Sequence, residues 1–175
     1  MTLSFTPLLN IVIAVVVLNV ALPVLVFSKI FILGILGFAQ IMFFYISIRY
    51  FLVLDGNPIL FILTLYLSLM AGTSLGLLIS AFVSTDVMAL SLVPVFLIPQ
   101  LLFSKLIMPN KSMDSIVESL EQLTLVKWGY DSLEQIVSSE IKMMIVFKSS
   151  FILIIMIIIM TFLSWLLLKV KDTAE

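Results

Sequence analysis

Residues 143–168 read MMIVFKSSFILIIMIIIMTFLSWLLL, with Lys148 as the one charge. As a helix rising 1.5 Å per residue, this stretch covers about 39 Å. The hydrocarbon core of a bilayer is roughly 30 Å thick, so the helix is long enough to span and should tilt, with Lys148 snorkelling to one surface. The run 152–160 does not alternate apolar and polar residues, which argues against a strand of a membrane barrel. In lipid the remaining solution is a helix, which satisfies its own backbone bonds.

Four more stretches share this character: 8–27, 30–54, 58–83 and 87–108. The expectation is an all-α integral membrane protein, one domain over 1–175, with about five transmembrane helices. The first stretch is the least typical, carrying Asn10, Asn19 and Pro23, and only Ser28-Lys29 separates it from the second. The 175 residues are 63% apolar and 11% charged, against about 45–50% and 25% in soluble domains. Mean hydropathy is +1.33. That much apolar surface must face lipid, which excludes a soluble enzyme and a disordered chain. The formal net charge of −1 excludes nucleic-acid binding through a basic surface.

The connections are short, with one exception. Asp55-Gly56-Asn57-Pro58 is a turn sequence, and Ser84-Thr85-Asp86 is a tight link able to cap the next helix. The long connection, 109–142, holds six of the ten acids. Met113, Ile116, Val117, Leu120 and Leu123 repeat at helical spacing, as do Tyr130, Leu133 and Ile136-Val137. Two short surface helices are expected there, broken near Trp128-Gly129.

Several residues are candidates for function. Ser68, Gly72, Gly76 and Ser80 form a small-residue stripe on the third stretch. Such a stripe lets helix backbones approach closely where no hydrophobic effect drives packing. Pro94 and Pro99 lie inside the fourth stretch, where each frees a backbone carbonyl and bends the helix; bent membrane helices either line pathways or are static kinks. Gln100 is polar and intramembrane, so it calls for a partner. Arg49 either snorkels or pairs with Asp55 at a cavity mouth. There is no Cys and no His, which removes thiolate and imidazole chemistry and the usual zinc ligands. The sequence has no Gly-rich P-loop, so it does not bind ATP by that device. No Lys or Arg precedes Lys29, which argues against a cleavable secretory signal.

Residues 76–109, GLLISAFVSTDVMALSLVPVFLIPQLLFSKLIMP, resemble the permease of ABC type-2 transporters, in particular G-subfamily-like members. Gly76, Ile79, Ser80, Ala81, Ala89, Leu90, Pro94, Pro99, Leu101, Leu102, Phe103 and Ser104 match that pattern. Residues 127–133, KWGYDSL, are similar to the family's element after its outer loop, and Ser28-Lys29-Ile30 through Gly34 to the entry of its third helix. The resemblance covers about 28–170.

It implies an export permease, working by alternating access as a homo- or heterodimer, with ATP bound and hydrolysed on a partner ABC ATPase domain or subunit. It implies a place in the plasma (cell inner) membrane, a cytoplasmic C-terminus and an extracytoplasmic loop 109–142. Lysine counting alone would put that loop inside; the resemblance outweighs it. The implied gate or pathway residues are Pro94, Pro99, Gln100, Phe103, Lys105, Leu106 and Ile107, the last two at an apolar constriction that excludes water. Gly72, Gly76 and Ser80 would pack helices. Two departures stand out. Lys105 occupies the family's Gly position, and the helices before the third lack a clear counterpart, as in an N-terminally truncated permease. The alternative is a non-transporting assembly or anchor subunit, or an inactive permease remnant.

Overall fold

The computed structural model describes residues 6–52, 56–83, 85–104, 115–138 and 142–172, with side chains omitted at 6–22, 86, 115–118 and 172. Every element in it is a helix: α1 Thr6–Phe51, α2 Pro58–Phe82, α3 Asp86–Leu102, α4 Ser115–Gln122, α5 Leu125–Val137 and α6 Met143–Asp172. Three helical segments are long and apolar enough to cross a membrane, Pro23–Phe51, Pro58–Phe82 and Met143–Lys171, while Val87–Leu102 is shorter. Broad apolar faces of α1, α3 and α6 are exposed in the isolated chain, as lipid-facing surface should be.

Two expected spans, 8–27 and 30–54, are one helix. Its 46 residues measure about 69 Å, twice the bilayer core. Ser28-Lys29 supplies neither Gly nor Pro to stop a helix, and Pro23 lies inside it without ending it. The neighbourhoods of α1 set its depth. A cavity lined by Lys29 also touches Leu77, Ser80, Ser164 and Leu168, so Lys29 lies near the C-terminal ends of α2 and α6. Tyr45 stacks on Phe61 near the start of α2. The α1–α2 pair is thus antiparallel, with α1 running along it from about Pro23 to Phe51.

The turn and link sequences work as expected. Asn57 caps α2, its Oδ1 accepting from the Ile59 amide at 3.0 Å, and Pro58 occupies the first turn. Gly56 has φ 157°, and a Cβ there would lie 2.6 Å from the Ile136 carbonyl oxygen. Thr85 caps α3 by accepting from the Met88 amide at 3.4 Å. Asp55 lies outside the described residues, so its proposed pairing with Arg49 does too.

The centre of the bundle is the α2–α6 pair, with α5 against both. In its seam Ala71, Leu75 and Ile79 of α2 cluster with Leu153 of α6. Thr161 donates to Ser74 Oγ at 3.4 Å across it. At the far end Lys171 Nζ donates to the Val83 carbonyl at 2.6 Å.

This seam is not the predicted stripe. The core row on α2, Leu67, Ala71, Leu75 and Ile79, is spaced by four as well; the stripe lies one residue on, about 100° round a 3.6-residue helix. Ser68 faces Gly129, and Ser80 faces the Lys29 cavity. Gly72 and Gly76 have nothing within 4 Å of an added Cβ, so they pack against no described part of this chain. The close helix approach is instead at Gly37 of α1, where a Cβ would collide with the Leu69 methyl groups.

The break between the two short helices also differs from expectation. It falls at Leu123-Thr124, where Thr124 accepts from the Lys127 amide at 3.4 Å as the α5 cap. Trp128-Gly129 lies inside α5. Gly129 is retained in a helix because its missing side chain makes room for Ser68: a Cβ would sit 2.7 Å from Ser68 Oγ. The buried face of α5 is Leu125, Trp128, Gly129, Ser132 and Ile136. Tyr130 and Leu133 are half-buried and Val137 is exposed. Leu120 and Leu123 are also exposed, while Glu121 is buried.

These contacts set opposite outcomes for two glycines. Gly37→Leu overpacks the α1–α2 contact, at a cost of about 1–3 kcal/mol, and lowers the melting temperature in detergent by several degrees. Gly76→Leu leaves the melting temperature of the single chain unchanged. Equal losses for the two variants, measured by thermal unfolding of detergent-purified protein, would contradict this packing.

Candidate functional site

The site begins with α3. Proline has no amide hydrogen, so Pro94 and Pro99 leave the carbonyls of Leu90 and Val95 without their helical donors. Normal helix bonding resumes after them, with the Phe103 amide donating to the Pro99 carbonyl at 2.9 Å. The helix is 17 residues long, about 25 Å, slightly short of the hydrocarbon core. It packs on α2 and more lightly on α5. Pro94 and Pro99 are exposed, Gln100 and Phe103 are half-buried, and Ser104 is fully buried. Lys105, Leu106 and Ile107 lie outside the described residues, and with them the predicted constriction.

Beside α3 stands a much firmer structure built on α5. The Trp128 ring belongs to the core cluster with Ala71, Leu75, Ile79, Leu125 and Leu153. Its Nε1 donates to the Gln122 carbonyl at 2.9 Å, which ties the end of α4 to α5. Lys127 Nζ lies 5.0 Å from the Trp128 ring centroid and Lys148 Nζ 5.9 Å, both within cation–π range. Lys127 also pairs with the buried Glu121 carboxylate at 3.8 Å. One α5 turn further on, Ser132 and Thr64 share a buried hydrogen bond of 3.0 Å. Small and polar groups here do what leucines do in a soluble core: they let the helices approach and bond to each other.

The structure therefore divides the candidate residues. The KWGYDSL segment, 127–133, is drawn into the α2–α6 core through Trp128, Gly129 and Ser132. The proline helix stays at the margin, its apolar residues Val95, Phe96, Leu97 and Ile98 exposed. Gly72 and Gly76 face open space on α2, the helix that carries α3. The Glu121–Lys127 pair and the Thr64–Ser132 bond escape a reading by apolar periodicity, because each is a polar group on a buried face. The spacing 125, 128, 129, 132, 136 follows the helical repeat, but Gly and Ser conceal it.

A protein-family model, ABC-2 type transporter, matches residues 9–138, well over half of the 175-residue chain. No match was found among curated proteins or among solved structures. The matched region contains nearly all of α1 and the whole of α2 to α5, including Pro94, Pro99 and the KWGYDSL segment. With its long apolar helices and this match, the chain belongs to the ABC-2 type transporter family, as a multi-pass membrane protein and the non-catalytic permease component of an ABC transporter.

Proposed function

We propose that this chain is the permease of an ATP-driven, G-subfamily-like exporter in the plasma membrane. A partner ATPase binds and hydrolyses ATP, and a second permease domain completes the pathway. The C-terminus is cytoplasmic, and 109–142 is outside. One observation carries the reading: the helix with two missing backbone bonds, α3, is the least embedded of the long apolar helices, whereas α2, α5 and α6 are locked together. A bundle so arranged can bend one helix while its scaffold stays fixed. Pro94, Pro99, Gln100 and Phe103 are the pathway residues of this reading, with Lys105, Leu106 and Ile107 as its gate. Gly72 and Gly76 offer a surface on which a second permease domain can pack closely.

Co-expression with the P-loop ATPase from an adjacent reading frame tests it. The two chains co-purify, and the permease stimulates ATP hydrolysis. Pro94→Ala and Pro99→Ala each restore a bond of about 0.5–1.5 kcal/mol, which stiffens α3. Each variant is expected to lower that stimulation roughly two- to tenfold with folded yield unchanged. A permease that never associates with an ATPase belongs to the alternative class, a non-transporting anchor or assembly subunit.

Topology has its own test, on a background free of cysteine. Ser119 is exposed on α4. Ser119→Cys is labelled by an impermeant maleimide on intact cells. Labelling only after permeabilisation would put the loop in the cytoplasm.

A further inference from the structure

α1 and α6 touch sparingly compared with the α2–α6 pair, and an apolar groove of about 390 Å³ opens between them. Its walls include Pro23, Val26, Phe27, Ile158, Phe162 and Trp165. This volume is within the roughly 300–1,000 Å³ of small-molecule sites. Nearly all of its surface is hydrocarbon or aromatic, so a ligand lying in it must be an apolar chain.

The charges at its end say which chain. Lys169 Nζ lies 5.4 Å from the ring centroid of Trp165, itself a wall of the groove. Lys29 is exposed and lines the adjoining cavity of about 170 Å³, which shares Val26 with the groove. Lys171 donates to the Val83 carbonyl at 2.6 Å, and its ammonium carries two further donors. Asp86 begins α3, which packs on α2 and α5, and Asp172 ends α6 next to Lys171. Lys29 and Lys169 stand beside walls of the groove, and Lys171 is held at the end of α2 by Val83.

We propose that this groove seats one acyl chain of an anionic diacyl phospholipid, whose phosphate is held by Lys29, Lys169 and Lys171. Basic clusters at membrane-helix ends attract anionic headgroups at about 1 kcal/mol per cation, and lysine stems reach the headgroup layer by snorkelling. A zwitterionic lipid fits the groove equally well, but its choline offsets the phosphate charge. Selectivity therefore comes from the lysines, and retention comes from the groove. Neither depends on ATP or on a partner, so this site stands or falls apart from the proposed transport function.

The test presents the detergent-purified chain with equal amounts of phosphatidylglycerol and phosphatidylcholine of the same acyl chains. Lipid retained after limited washing is read by native mass spectrometry. Wild type retains phosphatidylglycerol at least about fivefold over phosphatidylcholine, one kcal/mol being a factor of about five. The preference falls with added salt, as expected for a screened charge interaction. In K29Q/K169Q/K171Q the two lipids are retained equally. Ile158→Trp, which fills the groove from an exposed position, lowers retention of both. Equal retention of the two lipids by wild type would overturn the proposal, as would unchanged retention in Ile158→Trp. Displacement by water-soluble glycerophosphoglycerol as effectively as by the intact lipid would also overturn it, by showing a headgroup site without the groove. Should the triple variant fail to fold, the salt dependence of the wild-type preference decides the electrostatic half.

Discussion

The seam between α2 and α6 is the constraint on which the remaining architecture rests. In lipid, no gain from hiding apolar surface draws two helices together, because the solvent is as apolar as the side chains. Attraction must come from dense contact and from hydrogen bonds that exclude lipid. Ala71, Ser74 and Ala81 on one helix, and Ser149 and Ser164 on the other, are small enough to permit that contact. The Thr161–Ser74 bond and the Lys171–Val83 bond pin its register along one half. Remove the seam and α5 loses both walls that hold Trp128.

From that seam follows the role of α5. A surface helix with an apolar face could simply lie in the headgroup region. Here its face is inserted, with Trp128 filling the core and Gly129 clearing the way for Ser68. The Thr64–Ser132 bond and Gly56 against Ile136 then fix the C-terminal half of the contact. At the N-terminal end of α5 the buried Glu121 pairs with the part-buried Lys127. A buried ion pair contributes little net stability, but removing either member leaves an unpaired charge, so the pair constrains which geometry is acceptable.

Much of this was legible in the residues, and the gaps have physical causes. Span 143–168 and the helix start at Gly56-Asn57-Pro58 follow from apolar length and from turn-residue chemistry, and they are present as α6 and the capped start of α2. The caps at Asn57 and Thr85 follow from their side-chain oxygens. The merged α1 was misread because hydropathy counts apolar residues and does not see whether Ser28-Lys29 stops a helix. The stripe at 68, 72, 76 and 80 lies off the core row because that row, 67, 71, 75 and 79, has the same spacing one residue earlier, and spacing alone does not say which face turns inward. The candidate pathway residues were chosen on chemistry alone: two prolines announce missing bonds, but nothing in the sequence says which neighbours surround them.

The contrast between the locked and the loose parts of the molecule bears on how such a permease can work. A transmembrane machine needs an element that can change shape without unravelling its support. Backbone bonds in hydrocarbon are costly to break, so a helix already lacking two of them is cheaper to bend than its neighbours. In this chain that helix, α3, is carried by α2, whose opposite commitments to α6 and α5 are dense and polar. Bending α3 therefore disturbs few contacts, while moving α2 would disturb most of them. Mobility and rigidity are thus assigned to adjacent helices by two prolines on one side and a row of small residues on the other.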